Sequence, residues 1–321
     1  MHIGTRPVTR DDFNHMVRLC QPEPFRDIPR LKKEWDVLLA SDTFMGTVLE
    51  DADLPADQRA LAMVGTVYLD EEFFEDTMTS SRPYVVRRMV EETIAGRPAL
   101  LTNEDLAAKN AGNGLVMYVT YLAWIPQGHG TVRAETLRSL LVNAYADQYQ
   151  GNNVRWIVGE TAGTYIRNVA LRTGCEVLNE YLDWEAPPEL IEQDLRPCLV
   201  GANRDRGMTM ENYWFHRMFT YMTPRFGFTE SQRQVLLHAR HGLTDVEIAA
   251  DLRISPDAVK KRWVGIYERV DSVLPGLLPE SPAGSRGAEK RRALMMHLRD
   301  RPEELRPYAK RPAVTSAPQA G

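Results

Sequence analysis

Three consecutive cations, Lys260-Lys261-Arg262, stand one turn into a segment that opens with Ser255-Pro256-Asp257. Lysine ammonium and arginine guanidinium groups at the start of a helix suit contacts to phosphate and to base edges. Val264 and Gly265 follow at a spacing that adds an apolar contact and a position without a side chain. A second group lies in the Gly-containing turn Gln127-Gly128-His129-Gly130, where His129, with Glu135 beyond it, could do acid–base work. A lone histidine in such a turn is more often only a turn residue. The cysteines, Cys20, Cys175 and Cys198, are odd in number, far apart and without metal-ligand spacing. They read as reduced thiols of a cytoplasmic protein, with no metal site expected.

The elements that must carry the cations are legible from capping signals. Thr229 with Gln232 and Thr244 with Glu247 form capping boxes, in which a hydroxyl accepts from the third helical amide and the longer side chain reaches back. Ser255-Pro256-Asp257 adds a cap, a proline where no amide bond is required and a carboxylate at the positive helix end. Gly242 lies where a left-handed C-cap would end the first helix. Three short helices are therefore expected between 229 and 270. Val235, Leu236 and Ala239 share one face of the first, and Ile248, Ala249 and Leu252 one face of the second. On the third, a rotation of ~100° per residue groups Val259, Trp263, Ile266 and Val270 on the core side, leaving Lys261, Val264 and Gly265 opposite.

Upstream, strand-like and helix-like stretches alternate. HIGTRPV reads as a strand and TRDDFNHMVRLC as a helix capped by Thr9; TFMGTVLEDAD and ALAMVGTVYLD read as a hairpin. GLVMYVTYLAWIP has the β-branched and aromatic content of a buried strand. VRAETLRSLLVNAYADQY places Leu137, Leu140, Leu141, Ala144 and Tyr145 on one helical face. VRWIVGE is a further strand, TYIRNVALRTG a helix ended by Gly174, and CEVLNEYLDW a last strand. Residues 186–227 read as an aromatic-rich connection, with seven aromatics between Tyr213 and Phe228.

Bulk properties set outer limits. At 321 residues the chain holds two ordinary domains, and 43% hydrophobic with 26% charged residues is a globular composition. No apolar run is long enough to span a bilayer, so no membrane partner is expected. The net charge of −5 is unevenly spread. From Arg225 onward Lys+Arg outnumber Asp+Glu by 17 to 12, whereas residues 1–224 carry 22 against 32. An acidic larger part is joined to a basic smaller one that can feel a polyanion.

The stretch FTESQRQVLLHARHGLTDVEIAADLRISPDAVKKRWVGIYERV resembles the LuxR/GerE-type helix-turn-helix domain of bacterial transcription regulators. The resemblance rests on Thr229, Val235-Leu236, Gly242-Leu243-Thr244, Glu247-Ile248-Ala249, Leu252, Ile254-Ser255, Val259-Lys260 and Ile266. It implies binding of double-stranded DNA through Thr244, Ser255, Asp257, Lys260, Lys261, Arg262, Val264 and Gly265, by a homodimer on paired half-sites. Three positions depart from the pattern: Arg253 stands where the turn usually has glycine, Ala258 replaces a threonine and Arg262 a histidine. Arg253 must there adopt left-handed geometry or reshape the turn.

The order of elements in residues 3–184 is similar to that of N-acetyltransferases of the GNAT family. That likeness implies an acyl-CoA cofactor or effector, its pyrophosphate held by the loop at Gln127, Gly128 and Gly130 and by the helix that follows. Val132 stands where the family has a small residue, and Ala170 where it has its acidic tyrosine, with Tyr165 out of phase. The expected fold is α+β: a GNAT-like mixed α/β sensor domain (1–185), the connection (186–227) and an all-α helix-turn-helix domain (228–274). A helical extension (275–309), in which Leu294, Met295 and Leu298 share a face, and a disordered tail (310–321) complete it. The expected function is DNA-binding transcription regulation with an N-terminal sensing or dimerisation domain for a small molecule or acyl-CoA. The alternative is an acyl-CoA-dependent N-acyltransferase fused to a DNA-binding domain, and catalytic residues are left unassigned.

Overall fold

The computed structural model describes residues 2–20, 27–124, 132–209, 213–240, 242–279 and 288–309. The chain divides into two compact units, Met1–Thr220 and Tyr221–Gly321.

The first unit is built on a seven-stranded sheet. Strand β1 (Ile3–Pro7) leads into a 3-10 turn, where Asp12 accepts from the Thr9 amide, and then into α1 (Phe13–Leu19) and α2 (Ile28–Ala40). The hairpin β2 (Met45–Asp51) and β3 (Ala60–Tyr68) follows, at the two strand-like stretches read from sequence. Three helices are inserted before the central strand: α3 (Glu71–Thr79), α4 (Val85–Ile94) and α5 (Asn103–Ala111). Then come β4 (Leu115–Trp124), α6 (Val132–Tyr149), β5 (Val154–Ala162), α7 (Thr164–Thr173) and β6 (Glu176–Asn179). The short helix α8 (Pro188–Glu192) precedes β7 (Pro197–Asn203), α9 (Arg204–Thr209) and α10 (Tyr213–Phe219).

The strand order is β1-β2-β3-β4-β5-β7-β6. Every pairing is antiparallel except β4 with β5, which α6 joins as a crossover. Apart from α2 and the inserted α3–α5, the elements up to β6 follow the order that the acetyltransferase resemblance implies. One apolar cluster covers one face with Met16, Trp35, Leu38, Phe73, Val85 and Met89 against Met63, Val116, Tyr118 and Val158. The other face carries Leu137, Leu141, Tyr145 and Tyr149 of α6 against Leu61, Val64, Met117 and Ile157. Leu140, expected on that face, is 40% exposed, because the buried stripe runs 137, 141, 145, 149. The Tyr149 hydroxyl donates to the Met45 carbonyl at 3.0 Å, fixing α6 on β2.

Two expectations are corrected. The stretch 186–227 is not a connection: β7 inserts between β5 and β6, and Met218 and Phe219 of α10 are buried in the core of this unit. The boundary therefore falls after Thr220 rather than after 185. The strand read over CEVLNEYLDW stops at Asn179, whose side-chain oxygen accepts from the Tyr181 amide and turns the chain. The aromatics of Tyr213–Phe228 serve two cores, since Phe226 and Phe228 are buried in the second unit.

All regular structure described in that second unit is helical: α11 (Glu230–Arg240), α12 (Asp245–Asp251), α13 (Pro256–Val273), α14 (Ala288–Asp300) and a 3-10 turn at Pro302–Leu305. The expected caps are present. Gln232 accepts from the Thr229 amide, Thr244 and Glu247 form a reciprocal box, and the Ser255 hydroxyl accepts from the Ala258 amide at 3.1 Å. Gly242 is left-handed at φ +84, and Arg253 adopts φ 52, as the missing glycine requires. Val235, Leu236, Ala239, Ile248, Ala249, Val259, Trp263, Ile266 and Val270 form the core, which Leu294 and Leu298 of α14 close. Arg291 fastens that helix, donating to Asp245 and to the Leu243 carbonyl while its guanidinium lies 4.8 Å from the Trp263 ring. The tail 310–321, expected to be disordered, lies outside the described residues.

Candidate functional site

The one parallel pair in the sheet does not run its full length. β4 and β5 pair from Leu115↔Val154 to Val119↔Gly159 and then part. The cause is local. Against β3, Gly65 pairs Tyr121 and Thr66 pairs Val119, so Thr120 is an extra residue, a β-bulge. A bulge bends its strand and increases twist, which carries the second half of β4 away from β5. Gly65 makes room for it: a Cβ there would lie 2.7 Å from the Thr120 hydroxyl and 3.1 Å from the Phe44 ring. β4 continues along β3 to Trp124, and β5 continues along β7 to Ala162. Between them, the facing edges of Thr120–Trp124 and Glu160–Ala162 present backbone amides and carbonyls that neither strand satisfies for the other.

Two polar side chains of this part of β4 are also short of partners. The Thr120 Oγ and Tyr121 Oη atoms are buried without a hydrogen bond among the described residues. Tyr121 is 9% exposed, its ring tilted against Trp35 at 5.6 Å, and burial holds its hydroxyl far above the ordinary phenol range. Unpaired polar atoms inside a fold are uncommon, and each calls for a bound group or water. On the other lip stands Glu160, the first residue of β5 beyond the last β4 pair. Its carboxylate accepts from the Tyr84 amide at 2.9 Å and the Val85 amide at 3.3 Å, at the N-terminus of α4. The surrounding protein raises its pKa to about 7, desolvation outweighing those hydrogen bonds and the charge of Arg88. The Tyr181 hydroxyl is near enough to feel that charge but has no hydrogen bond of good geometry.

The loop residues named from sequence, Gln127, Gly128, His129 and Gly130, lie outside the described residues, and nothing is described of the side chains of Val132 and Glu135. Ala170 lies within α7, and Tyr165 is 52% exposed on the same helix. Among the described residues no group of three or more His, Cys, Asp or Glu could hold a metal ion. No helix described is long and apolar enough to cross a membrane. Two shallow grooves, about 280 Å³ beside Lys109 and about 570 Å³ along the outer edge of β6, do not reach the unpaired edges. The opening was missed from sequence because a bulge shows only when strands are paired.

In the second unit the eight named residues divide by what they already do. The Thr244 and Ser255 hydroxyls are engaged as helix caps, and Asp257 lies 3.3 Å from the Lys260 ammonium. Lys261 is exposed and Arg262 half-buried, and neither has an ion pair among the described residues. Val264 is 55% exposed. A Cβ at Gly265 would lie 3.3 Å from the side-chain amide nitrogen of Gln232 in α11.

No protein-family model matches the sequence, and no curated protein does. Among solved structures, similarity is found to Arabidopsis thaliana NAA60 in complex with acetyl-CoA, at 11% identity over 63% of this chain and 98% of that one, TM-score 0.37. The loading GNATL domain of CurA from Lyngbya majuscula is 12% identical over 63% of this chain and 98% of its own, TM-score 0.39. Mutant forms of the spermidine/spermine N-acetyltransferase SpeG from Vibrio cholerae are 10% identical over 64% and 96%, TM-score 0.34. Similarity at this level carries no argument about activity; strand order and register stand on their own.

Proposed function

We propose that the first unit binds an acyl-CoA in the opening between β4 and β5 and transfers its acyl group to an amine. The observation that carries this reading is the parting of the two parallel strands at Thr120, which leaves two backbone edges unpaired among the described residues. The pantetheine arm of coenzyme A is a narrow chain with two amide groups, and it can pair with such edges as a short strand would. The N-terminus of α6, the helix that follows β4 in the chain, suits the phosphates. Attack of a neutral amine on the thioester carbonyl would displace the CoA thiolate, which takes up the proton that the amine loses.

Calorimetry of the full chain with acetyl-CoA tests the binding, and release of free thiol with an amine present tests the transfer. Absence of binding removes the reading. Binding without thiol release would reduce the unit to an acyl-CoA sensor.

A second reading concerns the helical unit, which we propose as a DNA-binding module. It is favoured by the exposed cations and Val264 of α13, on the side opposite Val259, Trp263 and Ile266. Neutralised phosphates release counterions, so affinity for duplex DNA should fall steeply with salt. An affinity that ignores salt would count against it. A homodimer on paired half-sites remains part of this proposal, tested by the symmetry of the sequences retained from a random DNA pool.

A further inference from the structure

α14 is tied to the helical unit by more than its apolar face. Arg291 reaches the start of α12, donating to the Leu243 carbonyl at 2.8 Å and to the Asp245 carboxylate at 2.9 Å. The same carboxylate oxygen accepts from the Trp263 indole of α13 at 3.1 Å. Tyr267 stacks on that indole at 5.5 Å, and the Arg291 guanidinium lies 4.8 Å from its ring. One carboxylate therefore joins residues of three helices.

Asp245 answers two opposed demands. As the first residue of α12 it meets the positive end of that helix, where a carboxylate is stabilising. It also borders the exposed stripe of α13. With Val259 taken as zero, Trp263 and Tyr267 stand ~40° and ~80° round the helix, and Lys260 and Val264 follow on the same side at ~100° and ~140°. A carboxylate bonded to Trp263 thus stands on the flank that leads to Lys260 and Val264, both of them exposed. Its chain neighbours Thr244 and Val246 are exposed as well. A polyanion approaching that stripe meets the Asp245 charge, and like charges brought together oppose binding. The ion pair is open to solvent, Arg291 being 28% and Asp245 37% exposed, so both charges act outward.

Resting on the reading of the helical unit as a DNA-binding module, we propose that α14 is part of the surface that contacts DNA, with Arg291 the positioning residue that cancels the Asp245 charge beside the phosphates. α12 then keeps its stabilising carboxylate without repelling the duplex. Arginine suits the task because its planar fork serves a carboxylate, a carbonyl and an aromatic face at once.

Charge arithmetic supplies the test. Affinity of the full chain for a mixed-sequence duplex is read by fluorescence anisotropy at physiological salt, where charges beyond about 8 Å from the phosphates are largely screened. Arg291→Met keeps an aliphatic stem over Trp263 but leaves Asp245 uncancelled, so affinity should fall about tenfold. Asp245→Asn can still accept from Trp263 and leaves the Arg291 charge in excess, so binding should tighten by about threefold. The double variant restores the balance and should return to within about twofold of the wild type. A merely structural role predicts a different pattern, in which both single variants weaken and the double is no better than the worse of them. That pattern, or single variants that bind as the wild type does, would overturn the proposal. Should Arg291→Met not fold, Asp245→Asn decides: tighter binding supports the proposal, and unchanged or weaker binding overturns it. A wild type that binds no duplex removes the DNA-binding reading and the proposal together, whereas a wild type that binds, with variants that do not differ from it, removes the proposal alone.

Discussion

Tyr121 keeps its ring in the core beside Trp35 while its hydroxyl has no described partner. Removing that hydroxyl removes an unsatisfied buried group without opening much space. Tyr121→Phe should therefore raise stability by about 1 kcal/mol in urea denaturation. Stability lost in the variant would show that the hydroxyl is structural. Glu160 gives the pH counterpart. Its pKa rises from the 4.5 of the free side chain to about 7 in the folded chain, so between those limits the folded state binds more protons than the unfolded one. The stability associated with it is fully present below about pH 4.5 and is lost as pH rises through about 7, by on the order of 3 kcal/mol. Denaturant midpoints across pH 4–8 should show that decline in the wild type, with a shallower one in Glu160→Gln.

Elements were readable in sequence to the extent that local chemistry defines them. The caps at Thr244 and Ser255 sit where the hydroxyl and the third helical amide must meet, and Arg253 is left-handed because α12 ends where α13 must begin. Ser255→Ala should cost about 1 kcal/mol by loss of its bond to the Ala258 amide, seen as a lower thermal midpoint. An unchanged midpoint would place the start of α13 under packing control alone. β7 escaped detection because Pro197–Asn203 is short, opens on proline and contains a glycine, all features of a connection. What makes it a strand is non-local: it bonds to β5 on one side and to β6 on the other. Gly201 fits there because a side chain would meet the Ile157 carbonyl at 2.8 Å. The opening had no sequence signal for the same reason, since Thr120 is an ordinary strand residue until it is set against β3.

For the whole molecule, the sharpest consequence of the fold is where it can be cut. A fragment ending at Thr220 keeps all seven strands together with Met218 and Phe219, and should melt cooperatively in circular dichroism. One ending at 185 lacks the strand that joins β5 to β6 and should not. Cooperative melting of the shorter fragment would mean that β7 is dispensable to the sheet. The two units also differ in charge, the acidic larger part preceding the basic helical one, so solutes of opposite sign can be drawn to different ends of one chain. The bulge at Thr120 has its own molecule-wide meaning. β4 is longer by one residue than the span of β3 it accompanies, and that surplus is what forks the sheet. Deleting one residue would let the strand realign and zip to Glu160–Ala162, closing the fork while keeping nearly every side chain around it. The capacity for a guest would then be a matter of counting rather than of composition.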